Sequence, residues 1–312
     1  GMLSRVANNL FWMDRYMERS YGLLNLIKTN YNSTLDSGDY SSWNNILKTY
    51  MGIDESKERD DYLDSISVIN FMLFDLENPN TMANIVTKAR ENARSVQEHI
   101  SRELWLSVNK YYLNISDENL SSTFEKTDPI EFVNEMLQFN HIYYSVADIT
   151  QERGNAYCFM NLGKYLERVV QSVEFLSVRI NSLSEKNQKL SESFFWKNLL
   201  ISIGGYQLYV KTYKSIFNVE NIIEMITINE NFPRSIRYSL IKLFIHIERL
   251  NNYNQLNDKE LLFHVGKLKN TLQYTTIHSI KKTGLQKFLD EIKYSLNNIS
   301  NNINKIYFSQ SY

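Results

Sequence analysis

The amino-acid sequence predicts an all-α fold, a multi-helix bundle. Three observations carry this. The 312 residues include only 3 Pro and 10 Gly, too few to punctuate a β-sandwich or a loop-rich scaffold. Apolar residues recur at helical spacing through most of the chain, and no segment alternates with period two over a useful length. At 43% hydrophobic and 22% charged, the composition is that of a chain that buries a core.

The elements follow in order. A first helix is predicted from Leu3 to Tyr31, ended by the polar cluster at 32–38. Trp43, Ile46, Leu47 and Tyr50 mark a second helix. Tyr62, Ile66, Ile69 and Phe74 mark a third, stopped by Asn78-Pro79-Asn80. Thr81 caps a long helix from Met82 to Tyr112, and 114–128 reads as a loop. Asp128-Pro129 opens the next helix, with proline in its first turn, running to Ile149.

After Gly154 a helix runs to Leu183, and the polar stretch 184–192 links it to a helix beginning near Phe194. Gly204-Gly205 is a weak point, and Asn231-Phe232-Pro233 is a boundary before a helix ending at Leu250. Helices at 258–281 and 285–307 complete the chain. The whole, 2–312, reads as one helical domain, or as two related halves, 2–150 and 151–312.

Composition also excludes functions. The formal charge of -1, with no dense basic patch, speaks against nucleic-acid binding. No run reaches the roughly 18 apolar residues of a membrane span, and no apolar leader segment opens the chain. Cys158 is the only cysteine, so no internal disulfide forms, and a cytoplasmic address is expected. No His-Glu-x-x-His pattern occurs and no Glu lies three residues before a His, so no metal is expected. Phosphate loop, dinucleotide fingerprint and nucleophile elbow are all missing, and no cofactor is expected.

One internal echo stands out. Asp14-Arg15-Tyr16-Met17-Glu18-Arg19 resembles Gly163-Lys164-Tyr165-Leu166-Glu167-Arg168: a basic residue, Tyr, an apolar residue, Glu and Arg. On the first helix, Leu3, Val6, Leu10, Met13, Met17 and Leu24 share an apolar face. Arg5, Asn8, Trp12, Arg15 and Arg19 share an opposite arc about 100° wide. Glu18 borders that arc, near enough to Arg15 to pair with it. In the echo, Leu162, Leu166, Val169 and Val173 lie opposite Lys164, Glu167 and Arg168.

A guanidinium offers five donors in a planar fork that fits carboxylate or phosphate. Several on one ridge repel one another unless carboxylates or a bound anion balance them. Three outcomes stay open: a solvated polar face, a buried Arg–Glu network that sets helix register, or an anion-binding groove with Trp12 stacking beside it. In the last, Glu18 and Glu167 orient the arginines or act as acid and base. Arg90, Arg94, Gln97 and Ser101 form another polar stripe. Arg234, Ser235, Arg237 and Tyr238 sit at a helix start, where free N–H groups favour anions.

The opening Met2–Arg19 closely resembles that of the Alpha-E family, a bacterial group of helical proteins named for a Glu-Arg motif. Arg90-Glu91-Asn92-Ala93-Arg94-Ser95-Val96, Leu162–Arg168 and Phe232–Tyr238 resemble its later blocks in the same order. Departures are Gln97, where a basic residue is expected, Lys164 in place of Arg, and Asp14 in place of a small residue. The resemblance implies neighbours: a circularly permuted ATP-grasp protein and a transglutaminase-like protein. A role beside peptide or amide-bond synthesis follows from it. Arg5, Asn8, Trp12, Arg15, Arg19, Asn92, Arg94, Arg168, Arg234, Ser235, Arg237 and Tyr238 are then the expected contacts to an anionic peptide, a phosphate or a partner. Glu18 and Glu167 are the expected candidates for catalysis if the chain is an enzyme. A purely structural scaffold is the remaining reading.

Overall fold

The computed structural model describes residues 4–53, 64–183, 189–214, 217–253 and 259–307. Every regular element among them is helical. In order they are α1 (Ser4–Ser37), α2 (Ser42–Met51), α3 (Ser65–Phe74), α4 (Met82–Ser95), α5 (Arg102–Ile115), α6 (Leu120–Glu125), α7 (Pro129–Thr150) and α8 (Asn155–Leu183). Then come α9 (Lys189–Ser202), α10 (Tyr206–Tyr213), α11 (Val219–Ile228), α12 (Ile236–Asn252), α13 (Lys259–Gln273), α14 (Ile277–Thr283) and α15 (Leu285–Tyr307). A short 3₁₀ turn, Gln97–His99, lies between α4 and α5.

The expected helices form, with instructive differences. The helix expected over 82–112 is two helices. Gln151 accepts from the Ser101 backbone N–H at 2.9 Å and donates to the His99 carbonyl at 3.0 Å. Ser101 then caps α5 by accepting from Leu104 N at 3.1 Å. A partner 50 residues away satisfies the backbone groups freed by the break.

The stretch 114–128, expected as a loop, contains α6, fixed by the burial of Phe124. The helix expected over 258–281 is interrupted at Thr276, whose hydroxyl and Ser279 form a reciprocal capping box that starts α14. Helix α1 runs past Tyr31 to Ser37, because Thr34 and Ser37 turn their hydroxyls onto the helix's own carbonyls rather than ending it. Gly204, at a positive φ of 73°, closes α9 where the sequence signals a break. Tyr62, Leu3 and residues 184–188 lie outside the described residues.

The chain forms two compact units: residues 1–18, 152–186 and 205–312 in one, and 19–151 with 187–204 in the other. In the first, α12 packs against α8 and α13, α15 packs against α13 and α8, and α11 joins α12 and α13. Its core includes Leu166, Val169, Leu240, Leu243, Leu268 and Leu289, all buried. In the second, α5 packs against α4 and α7, and α3 touches α2, α4 and α6.

The core of the second unit includes polar pairs that are fully satisfied. Trp43 Nε1 donates to Ser65 Oγ at 2.9 Å. Tyr111 donates to Asn140 Oδ1 at 3.0 Å while Asn140 Nδ2 donates to Ser20 Oγ at 2.8 Å. Among the described residues no helix is long and apolar enough to cross a membrane. No group of three or more His, Cys, Asp and Glu there could hold a metal ion. Cys158 is buried, its thiol pushed up by desolvation against the pull of Arg249, and packs as a small apolar side chain.

Candidate functional site

The site grows from the crossing of α1 over α8. Leu10, Met13 and Met17 are buried, and so are Leu162, Leu166 and Val169. Gly163 sits at the contact. A methyl group there would fall on the Phe11 carbonyl oxygen, 2.9 Å from its carbon and 3.2 Å from the Arg15 nitrogen. Only a residue without Cβ lets two helix backbones meet so closely. One turn further along each helix, that approach places the acidic and basic residues of the two echoing motifs within hydrogen-bond reach.

The pairs are reciprocal. Arg15 of α1 donates through Nε at 2.9 Å and Nη2 at 2.7 Å to Oε2 of Glu167 on α8. Arg168 of α8 donates through Nε at 2.9 Å to Oε1 of Glu18 on α1, and through Nη2 at 3.4 Å to Oε2. Arg234, just before α12, also reaches Glu18 Oε1, at 3.0 Å. Arg168 Nη1 donates to the Pro233 carbonyl at 3.0 Å, which ties the turn before α12 into the same network. Gln171 adds a 3.4 Å bond to the Glu18 carbonyl.

Burial decides what these groups can do. Glu18 is 0% exposed and Glu167 3%, while Arg15, Arg168 and Arg234 are 13%, 11% and 15% exposed. Glu18 is sealed from water and held by two guanidiniums, and Glu167 by one. That geometry suits carboxylates that orient the arginines. All three Arg168 nitrogens are engaged within the protein.

Lys164, the echo of Arg15, is also drawn in. Burial pushes its ammonium below the ordinary lysine range and Arg168 pushes the same way, while Asp14, Glu18 and Tyr157 pull it back. Asp14 is itself buried. Trp12 is half-buried with the Arg15 guanidinium 4.7 Å from its ring centroid, so the expected stacking forms, with a protein cation as the guest.

The other sequence-selected residues divide. Ser235 caps α12, accepting from Tyr238 N at 3.0 Å and donating to the Asn229 carbonyl, so the helix start is satisfied from within. Arg237 pairs with the exposed Glu230 at 3.2 Å, and its Nε is buried without a hydrogen-bond partner. Asn8 is half-buried, and its Oδ1 lacks a partner. Arg5 is exposed. Arg19, Asn92 and Arg94 belong to the other compact unit; Asn92 bonds the Lys88 carbonyl of its own helix at 2.9 Å, and Arg94 is exposed.

The expected pairing of Glu18 with Arg15 is corrected. Each chooses a partner on another segment, because the crossing buries those partners beside it. Gly163 was not singled out as functional, although a glycine in mid-helix costs about 1 kcal/mol against alanine and so signals close packing.

Two helices that exchange glutamates and arginines across a glycine-tight crossing define an all-helical domain built on paired Glu-Arg motifs. Residues 2–308 match a family described as a predicted alpha-helical domain with a conserved ER motif. The chain belongs to that family, Alpha-E. No curated protein matches it, and no solved structure does.

Proposed function

We propose that this chain is a helical accessory protein that works beside a circularly permuted ATP-grasp protein and a transglutaminase-like protein in peptide or amide-bond synthesis. It binds an anionic peptide, a phosphate or the partner protein itself. The observation that carries this reading is the state of Glu18: fully buried and held by Arg168 and Arg234. Such a group serves as an anchor for cations and not as a base, which favours binding over catalysis. Three residues along from Arg234, Arg237 pairs with Glu230 while its Nε has no hydrogen-bond partner.

The test is capture of the ATP-grasp protein by the purified chain, with and without nucleotide and short acidic peptides. Replacing Arg237 with Gln should weaken capture about tenfold while helix content by circular dichroism stays unchanged. Equal capture by the variant refutes the binding reading. A second reading, a scaffold whose Glu-Arg pairs only fix register, draws on the three engaged nitrogens of Arg168. It is favoured if the wild-type chain captures neither partner.

A further inference from the structure

Helix α12 carries a second basic ridge that the Glu-Arg network does not use. Lys242, His246 and Arg249 follow one another at i, i+4 and i+7, one above the next on the same side of the helix. His246 is 5% exposed, and its Nδ1 is buried without a hydrogen-bond partner. Its ring lies against α8, stacked on Tyr165 at 6.2 Å and edge-on to Tyr157 at 5.6 Å. The Lys164 ammonium stands 4.7 Å from the centroid of that same Tyr165 ring, and Lys242 stands 5.5 Å from the centroid of Tyr238. Among the described residues, neither Lys242 nor Arg249 forms an ion pair with a carboxylate.

The charged groups acting on the imidazole are all cations. Burial first, then Arg249, Lys164 and Lys242, push His246 down to about 3. A buried ring nitrogen without a partner, on the same helix side as Lys242 and Arg249, which pair with no carboxylate among the described residues, suits an anion. Ammonium groups act as point charges and suit a tetrahedral oxyanion, whereas planar carboxylates favour the arginine fork.

We infer that the α8–α12 seam binds a phosphoryl group, held by Lys242 and Arg249 from α12, with the His246 ring donating at its floor. This rests on the anion-binding reading above and names the ligand chemistry and a place for it. The bound phosphoryl group offsets the cationic repulsion on the ring and supplies Nδ1 with an acceptor.

The experiment follows the His246 ring by nuclear magnetic resonance in the full chain labelled at histidine. His246→Gln identifies its signal among the five histidines. Inorganic phosphate is titrated at constant ionic strength, with chloride and glutarate as parallel arms. A saturable shift of the His246 signal with phosphate, about tenfold weaker in affinity in Lys242→Gln, supports the inference, as does a higher His246 pKa in phosphate than in chloride. A response equal in chloride overturns it. So does phosphate binding that leaves His246 unmoved or is unchanged in Lys242→Gln, and a stronger response to glutarate assigns the seam to carboxylates instead. Absent phosphate binding with ATP-grasp capture intact overturns this inference alone; lost capture with phosphate binding intact overturns only the partner reading.

Discussion

Replacing Gly163 with alanine tests the helix crossing from which the whole Glu-Arg network follows. The added Cβ would stand 2.9 Å from the Phe11 carbonyl carbon and 3.2 Å from the Arg15 nitrogen, with the Phe11 oxygen closer still. Ordinary contacts of this kind begin at 3.4 Å, and the obstacle is backbone, which cannot rotate aside. The helices must therefore part by roughly an ångström, which costs about 1–3 kcal/mol of overpacking. Alanine returns about 1 kcal/mol of helix propensity.

The same displacement acts on the Arg15–Glu167 and Arg168–Glu18 pairs, 2.7 Å and 2.9 Å long and almost dry. Breaking one buried pair costs about 3–5 kcal/mol. The net expectation is destabilisation by about 3–7 kcal/mol, with the thermal midpoint lower by at least about 6 °C for a chain of this size. Urea and thermal denaturation followed by circular dichroism measure it. Gly266→Ala is the control, because its Cβ meets only the movable ring edge of Phe244 at 3.1 Å and should be neutral or mildly stabilising. If Gly163→Ala is as stable as wild type or more so, helix propensity has won. The close crossing then does not hold the pairs.

Glu18→Gln leaves the Arg168 and Arg234 guanidiniums facing an uncharged amide in a sealed site, and should cost about 3–5 kcal/mol in urea denaturation. Adding Arg168→Met should recover part of that loss, and additivity of the two would count against direct coupling. His246 binds its proton near pH 6.5 when unfolded but near 3 in the folded chain. Between those values the unfolded state holds more protons, so its contribution to stability falls with acid by about 1.4 kcal/mol per pH unit. His246→Gln should remove that part of the pH slope, and equal slopes over pH 4–6 would refute the assignment. Asn140→Ala strips partners from the buried Tyr111 and Ser20 hydroxyls and should cost about 2–3 kcal/mol, read from the urea midpoint.

The Glu-Arg echo and the stacking of Trp12 with an arginine were legible in the sequence, because each depends on spacing along a single helix. The partners were not. Glu18 and Arg15 are three residues apart and could have met, yet each bonds a residue about 150 positions away, at Arg168 and Glu167. The basic ridge of Lys242, His246 and Arg249 was equally open to helical counting. Its interest arises only where α8 covers the imidazole and removes it from water.

Local chemistry therefore determined the helices: scarce proline and glycine, apolar residues at helical spacing, and stops such as Asn78-Pro79 and Gly204. Tertiary structure decided where a helix breaks despite a continuous pattern, as at 96–101, where the side chain of Gln151 secures the backbone. It also decided which carboxylate neutralises which arginine. A charge pair exposed on one helix is worth little in water, while the same charges sealed at a crossing must find partners wherever the packing brings them. The nearest neighbour in sequence then yields to the nearest neighbour in the dry interior.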